Sequence, residues 1–237
     1  MAALDDLLVV QDLDTTLDQL QHRRSTLPQL EDLSRLRRER DAAAASADEV
    51  AGRLHVIRSA QKEAEDHAAL LEDKAAAVNT SMYDGSVVSH KELEALSEEH
   101  ASLLERQGSF EEQALELMEE ADPVEEELAA CRAVLDSLDA QIAEVDAALI
   151  VARAEVDAET DRVRAERDAA VASVPADLVD AYEPLRTSLG GVAVARLHGA
   201  RCEGCHLEIP SAQLEQVRRA PEDEIVSCPE CFRILVR

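Results

Sequence analysis

Apolar residues recur along most of the chain at alternating intervals of three and four positions. In the second half this spacing is unbroken over residues 93–163, where His100, Gln107 and Glu159 are the polar residues on the stripe. The first half keeps the same spacing over residues 36–78. An apolar residue at every 3.5 positions on average is the pattern of a coiled-coil seam. The sequence therefore predicts two long helices.

The two helices are predicted to form an antiparallel hairpin with its turn near residues 80–89. Between the two stripes the phase slips by one residue, within the segment NTSMYDGSVVS, which is rich in turn formers. Ser89 and Glu92 have the spacing of a capping box, which would start the second helix. A turn centred on residues 84–86 would place Ala68 opposite Leu103 in the facing arm.

Two prolines interrupt the helical arms. Pro28 lies where the leucine spacing of the first arm changes. Pro123 lies in the second arm, where the phase of the stripe continues through it. Because proline removes a helical hydrogen bond and clashes with the preceding turn, bending is expected at these sites, and the unbroken phase favours a kink over a break at Pro123.

Composition agrees with long helices and points away from one large globule. The 237 residues include two Phe, two Tyr and no Trp, and the net charge is −27. Residues 1–172 carry 41 acids and 17 bases, whereas residues 173–237 carry ten acids and seven bases. A surface this acidic repels phosphate, so any contact with nucleic acid must come from the C-terminal part. No apolar run approaches the length of a membrane span.

Four cysteines near the C-terminus carry the strongest chemical signal. Cys202 and Cys205 form one Cys-x-x-Cys motif, Cys228 and Cys231 form a second one, and 22 residues separate the two motifs. Two such motifs supply the four thiolates of a closed structural zinc site, so one Zn²⁺ is predicted.

Three other uses of these cysteines fit the sequence less well. The run Cys-Glu-Gly-Cys-His matches a haem-attachment pattern, but that reading leaves the second motif unexplained and requires export. Disulfides also require an oxidising compartment, and the acidic N-terminus does not resemble a signal peptide, so a cytoplasmic location is expected. A redox Cys-x-x-Cys is expected near a βαβ pattern, which the sequence does not show.

The fold class predicted is mainly α: a coiled-coil hairpin over residues 1–172, followed by a small zinc ribbon over residues 173–237. In the ribbon we predict helices over 177–186 and 211–218, with the first interrupted or redirected near Pro184. Strands are predicted over 192–197, 207–209, 224–227 and 232–236, with a turn at 221–223. So small a domain with a thin core needs a metal to fold.

Several residues with reactive side chains have structural explanations. Cys131 lies on the apolar stripe and is interpreted as a small buried residue, and His100 and Gln107 are interpreted as register-fixing seam residues. No catalytic constellation is visible, and four thiolates leave zinc no open position for water or substrate. The chain is therefore predicted not to be an enzyme.

Four segments of the sequence resemble those of a known family. The segments YDGSVVSHKELEALSEEH, VPADLVDAYEPLR, GGVAVARLHGARCEGCHLEIP and CPECFRILVR are similar to those of the bacterial proteins built from a coiled-coil hairpin and a four-cysteine zinc ribbon, often labelled predicted nucleic-acid-binding. The resemblance implies that the four cysteines are the zinc ligands. The family's second motif usually ends in glycine, where this chain has Phe232. The resemblance also implies a scaffold role, since relatives bind the nitrogen-class sigma factor, parts of flagellar or type III export systems, or RNA.

Three functions follow as hypotheses. The first is a non-enzymatic adaptor that binds proteins through the acidic hairpin and the ribbon, in transcription or secretion. The second is nucleic-acid binding through arginines of the ribbon, namely Arg196, Arg201, Arg218, Arg219, Arg233 and Arg237. The third is a transcription factor whose hairpin tip enters the polymerase channel, although Asp84 is the one acid that this tip offers.

Overall fold

A computed structural model describes residues 2–85, 88–221 and 224–237 of the chain. These residues form a long helical hairpin followed by a small ribbon, as the sequence predicts. In chain order the elements are α1 (Ala2–Ser25), α2 (Pro28–Tyr83), α3 (His90–Val171), α4 (Ala176–Ser188), β1 (Val194–His198), β2 (Arg201–Cys202), α5 (Ser211–Arg219) and β3 (Ile234–Val236). The chain divides into two compact units, one comprising Asp32–Val145 and the other comprising Met1–Glu31 with Asp146–Arg237.

The unit Asp32–Val145 is the antiparallel hairpin of α2 and α3. Arg53 pairs with Glu127 at 2.5 Å and Arg58 pairs with Glu125 at 2.6 Å, so the two helices run in opposite directions. Its buried apolar side chains fall on the predicted stripe almost throughout: Leu36, Ala47, Val50, Ala64, Ala68, Leu71, Ala75, Ala121 and Leu128. The seam prediction is confirmed for this unit.

The predicted register between the two arms is wrong. His67 stacks on Phe110 with 5.0 Å between ring centroids, which places this part of α2 well beyond Leu103 along α3. The prediction assumed a symmetric turn centred on residues 84–86, but α2 ends at Tyr83 and α3 begins at His90, directly after Ser89. The pairing is therefore displaced towards later residues of α3. Ser86 and Val87, within the predicted turn, lie outside the described residues.

The two arm prolines have different effects. Pro28 follows the non-helical residues Thr26 and Leu27 and is the first residue of α2. An N–H group at that position forms no hydrogen bond within the helix, so proline is tolerated there. Pro123 lies inside α3, which continues through it. As predicted, the second arm is not broken at this proline.

The other unit is built around a three-stranded sheet of order β2-β1-β3. β1 pairs antiparallel with β2 and parallel with β3, with Val194 opposite Ile234. Because side chains alternate along a strand, β3 contributes side chains to two hydrophobic cores. Ile234 and Val236 pack with α1 and α4 on one face, and Leu235 packs with α5 and the cysteines on the other.

The first of these cores joins the two ends of the chain. Leu4, Leu7 and Val10 of α1 pack with Leu178 and Tyr182 of α4 against the sheet. The N-terminal helix is therefore part of the packing that supports the ribbon. The predicted boundary between residues 172 and 173 falls between α3 and α4, and it stays a prediction.

Parts of the predicted ribbon differ in extent. α4 is continuous through Pro184, and the strands predicted at 207–209 and 224–227 are reduced to isolated bridges, Arg201 with Glu208 and Ser227 with Ile234. The backbone around the cysteine turns is engaged in single hydrogen bonds instead of ladders, such as Cys202 N–H to Leu207 O. Glu222 and Asp223, in the predicted turn, lie outside the described residues.

No helix within residues 2–85, 88–221 and 224–237 is long and apolar enough to span a membrane.

Candidate metal centre

The two Cys-x-x-Cys segments fold into turns of the same design. The N–H of Cys202 donates to Leu207 O at 3.1 Å, and the N–H of His206 donates back to Cys202 O at 2.8 Å. In the second turn the N–H of Cys228 donates to Arg233 O at 2.8 Å, and that of Phe232 donates to Cys228 O at 2.9 Å. Each turn therefore holds its two thiols on one side of a closed loop of backbone.

Both turns end on a residue with a left-handed backbone. His206 has φ of 62° and Phe232 has φ of 63°. Glycine adopts this conformation at little cost, whereas other residues are strained in it. The second turn therefore holds Phe232 in a strained backbone conformation.

The structure brings the four predicted cysteines together. Their sulfur atoms all lie within 4.8 Å of one another, with 3.9 Å between Cys202 and Cys231 and 4.0 Å between Cys205 and Cys228. Cys202 and Cys228 are fully buried, and the other two are half-buried. The fifth cysteine, Cys131, is half-buried in α3 and is not a member of this cluster.

The donor set fits zinc. Four thiolates at a Zn–S distance of about 2.3 Å in tetrahedral geometry have sulfurs about 3.8 Å apart, and the Cys202–Cys231 and Cys205–Cys228 separations of 3.9 and 4.0 Å are close to this value. Zn²⁺ in such a set would hold the two turns together, and its coordination shell would be filled by protein.

The environment of the thiols resists ionisation at Cys202 and Cys228 and favours it at Cys231. Burial raises the pKa of Cys228 to about 12, and burial also raises the pKa of Cys202. Burial acts the same way on Cys231, but hydrogen bonds from the backbone and side chain of Arg233, and from Cys205 and Cys228, outweigh it and lower its pKa to about 7. Because a metal binds thiolates, its binding must displace protons from the buried pair.

Gly204 and Arg233 join the two turns. A Cβ atom at Gly204 would lie 2.9 Å from the Cβ of Ala195 and 2.5 Å from the Cδ of Arg233. Arg233 in turn donates its Nε–H to Val192 O at 2.9 Å. The first turn therefore needs a residue without a side chain at this position.

The arginines predicted to form a basic edge each have a partner inside the chain. Four donate to backbone carbonyl oxygens: Arg201 to His206, Arg218 to Gly199, Arg233 to Val192, and Arg237 to Val217 and Ala220. Arg196 pairs with Asp5 at 3.0 Å, and Arg219 pairs with Glu215. These side chains serve the local fold, and two of their charges are balanced by acids.

Two polar residues of α1 that support the ribbon were missed by sequence reasoning. Buried Gln11 accepts hydrogen bonds from the N–H groups of Ala193 at 2.7 Å and Val194 at 2.6 Å, and it donates to Val194 O at 2.9 Å. It therefore satisfies the backbone at the start of β1.

Asp14 is the second of these residues, and it too is buried. Its carboxylate accepts from Arg167 at 2.9 Å and from the hydroxyl of Tyr182 at 2.8 Å. The bond to Asp14 raises the pKa of Arg167, and burial followed by the same carboxylate raises that of Tyr182. The sequence did contain a signal for their burial, because Gln11 and Asp14 follow Leu4 and Leu7 at helical spacing and therefore lie on the same face of α1.

Comparison with known proteins gives a consistent result over nearly the whole chain. Residues 10–190 match the family model described as the CT398-like coiled coil hairpin domain, and residues 201–235 match the C4-type zinc ribbon domain. With four clustered cysteines in that second match, the chain carries a zinc ribbon with one structural zinc ion.

Relatives and solved structures agree with these matches. The uncharacterized protein Rv2229c of Mycobacterium tuberculosis is 32% identical, with 98% of this chain and 94% of the relative covered. A structure from Mycobacterium smegmatis is similar at 29% identity, with a TM-score of 0.74 and 100% and 97% of the two chains covered. The structure of CT398 from Chlamydia trachomatis shares the fold at 19% identity, with a TM-score of 0.70 and 99% and 97% covered.

Proposed function

The chain belongs to the family of CT398-like coiled-coil hairpin proteins, here with a C4-type zinc ribbon, and from this premise we propose that it is a non-enzymatic adaptor that binds partner proteins. The hairpin and the ribbon each present a surface for docking. The proposal places the adaptor in the cytoplasm, where thiols stay reduced and available to zinc.

In this proposal Cys202, Cys205, Cys228 and Cys231 are the four ligands of the structural zinc ion. The observation that carries the proposal is the closeness of their sulfur atoms, all within 4.8 Å of one another. Four protein thiolates fill a tetrahedral shell, so the metal has no position for substrate or water. The metal therefore acts through the fold of the ribbon and not through catalysis.

The hairpin supports a docking role through its charge. Residues 111–127 contain nine acids and no base. Two of them, Glu125 and Glu127, pair with arginines of α2. Of the others, Glu111, Glu112, Glu116, Glu119 and Glu120 form no ion pair among the described residues, so this stretch presents an acidic surface.

Affinity capture with the full chain tests the proposal. A tagged chain is expressed at its native level, crosslinked in cells, and its co-purifying proteins are quantified by mass spectrometry. The matched control replaces all four cysteines by serine, which removes the metal while the hairpin remains. We expect specific proteins with the wild-type chain, some of which are lost with the control; enrichment of no protein over a tag-only sample would contradict an adaptor role.

Nucleic-acid binding by the ribbon is the second candidate. The observation that favours it is Phe232, an aromatic side chain that is 66% exposed beside Arg233, since exposed aromatic rings stack on bases. Filter binding of the full chain to RNA and DNA at low salt tests it, with Phe232→Ser as the variant. Retention of neither nucleic acid would remove this candidate.

A further inference from the structure

A groove lies along one side of the hairpin within the unit Asp32–Val145. It has a volume of about 470 Å³ and runs between α2 and α3. Ala68 and Ala114 line it, and both are small enough to leave space between the helices. Leu115 and Met118 also line it and are 58% and 41% exposed, so two neighbouring large apolar side chains face solvent, and exposed apolar patches can mark interaction sites.

The spacing of the apolar residues suits a helical ligand. Leu115 and Met118 are three positions apart on α3 and lie on the same helix face. Apolar side chains along a groove between helices accept the i, i+3 and i+4 anchors of an amphipathic helix. Methionine is flexible and polarisable, so Met118 can adapt to the side chain that packs against it.

The walls of the groove are acidic. Glu65 and Glu72 line it from α2, and Glu111 lines it from α3. Glu65 and Glu111 accept hydrogen bonds from the neutral side chains of Gln61 and Gln107, and none of the three acids has an ion pair among the described residues. Their charges are therefore available to cations of a ligand.

We infer that this groove binds a basic amphipathic helix of a partner protein, with apolar side chains against Leu115 and Met118 and lysine or arginine residues against Glu65, Glu72 and Glu111. The inference rests on the proposed adaptor function and names the chemistry of one partner. Phosphate-bearing ligands are disfavoured because the walls carry negative charge.

A second copy of this chain does not offer such a helix among its described residues. The basic stretch around Arg35 and Arg40 has Leu33 and Leu36 buried in its own hairpin. Arg35 also pairs with Asp32 and Glu39, and Arg40 pairs with Asp139. The ligand therefore comes from another protein.

The basic helix α5 is occupied in the same way. Its apolar residues Leu214 and Val217 are buried in the ribbon core. They cannot enter a groove on another molecule while the ribbon is folded.

The test measures binding of a synthetic peptide to the full zinc-loaded chain. The probe is a leucine and lysine peptide of about 18 residues, five helical turns, with leucines at i, i+3, i+4 and i+7. A scrambled peptide of the same composition keeps the charge and loses the apolar face. Fluorescence anisotropy gives the Kd of each.

Two pairs of matched variants locate the site. Leu115→Ser with Met118→Ser is expected to weaken binding by at least about tenfold, because it removes both anchors. Ile150→Ser with Val151→Ser also removes two exposed apolar side chains, 69% and 59% exposed, outside the groove, and should change Kd by less than about twofold. Circular dichroism and zinc content check that all variants remain folded.

The charge variants separate the groove from the general acidity of the chain. The triple replacement of Glu65, Glu72 and Glu111 by glutamine should weaken binding more than the same change at Glu98, Glu99 and Glu105, although both remove three charges. Equal effects of the two triples, equal effects of the two serine pairs, or equally tight binding of the scrambled peptide would overturn the inference. A dimer in light scattering that Leu115→Ser with Met118→Ser abolishes would also overturn it, because the occupant would be a second copy.

Failure of this inference is distinguishable from failure of the adaptor function. If cellular capture recovers partners and the groove variants leave every one of them bound, the groove is not the docking site and the adaptor function stands. If the peptide binds as described but capture recovers no protein, the groove can bind a basic amphipathic helix and the adaptor function fails.

Discussion

The two units of this protein are stabilised by different kinds of interaction. The hairpin over Asp32–Val145 is held by a repeated apolar seam, with ion pairs such as Arg53 with Glu127 exposed to solvent. The unit containing the ribbon has two apolar cores, a four-cysteine cluster and the buried polar residues Gln11 and Asp14. Repetition spreads stability over many equivalent contacts, whereas the ribbon depends on a few particular atoms.

Removing the metal should give the largest difference between the two units. With Cys202→Ser and Cys228→Ser, or with a strong chelator, the ribbon should lose structural zinc binding, which contributes on the order of 10 kcal/mol in small zinc domains. Hydrogen exchange should show amides of β1 and β3 losing protection while those around Val50 and Leu71 keep theirs. An equal loss of amide protection in both units would show that they do not differ in their dependence on the metal.

Asp14→Ala should have the next largest effect. It leaves the buried hydroxyl of Tyr182 without its partner and leaves Arg167 with Glu183 alone, and breaking a buried pair costs about 3 kcal/mol. Urea denaturation monitored at the ribbon would measure it. The matched change Asp139→Ala removes an exposed partner of Arg40 in the hairpin and should cost much less; similar losses would show that burial does not decide the effect.

A seam substitution tests the hairpin side of the comparison. Leu71→Ala removes a buried side chain and should lower the stability of the hairpin by about 2 kcal/mol, because the facing helix closes only part of the cavity. Zinc content and protection of the ribbon should stay at the wild-type level. The exposed neighbour Leu70→Ala serves as the control and should change little. A ribbon that loses zinc in Leu71→Ala would show that the two units are not energetically separate.

Phe232→Gly should have the smallest effect, and its sign should be opposite. Glycine relieves the strain of the left-handed backbone at φ 63°, which should raise the free energy of unfolding by up to about 1 kcal/mol. The greater conformational freedom of glycine in the unfolded chain opposes this gain. Thermal unfolding of the zinc-loaded chain would detect it, with Leu207→Ala as the control for loss of an exposed apolar side chain. A clear loss of stability would show that the Phe232 ring makes contacts that outweigh the strain.

Spacing predicted the seam residues but not their partners. Leu36, Val50 and Leu71 were assigned to the buried face because apolar periodicity is a property of one helix. Register is a property of two helices and of the connection between them, so an assumed symmetric turn placed Ala68 opposite Leu103, whereas its neighbour His67 stacks on Phe110. One regular seam fits many registers almost equally well.

The sequence by itself determined the hairpin, the ribbon, the zinc and the four cysteines that the structure brings together, since each follows from local spacing along the chain. Only the tertiary structure decided the roles of α1, the arginines and the groove. Gln11 and Asp14 reach residues such as Val194 and Tyr182 far along the chain, and the predicted basic edge is engaged by carbonyl oxygens and acids of the fold. Leu115 and Met118 lie off the apolar stripe, and only the structure shows that they border a groove with Ala68 of the facing helix. Such contacts depend on which helix faces lie against each other, and no single segment carries that information.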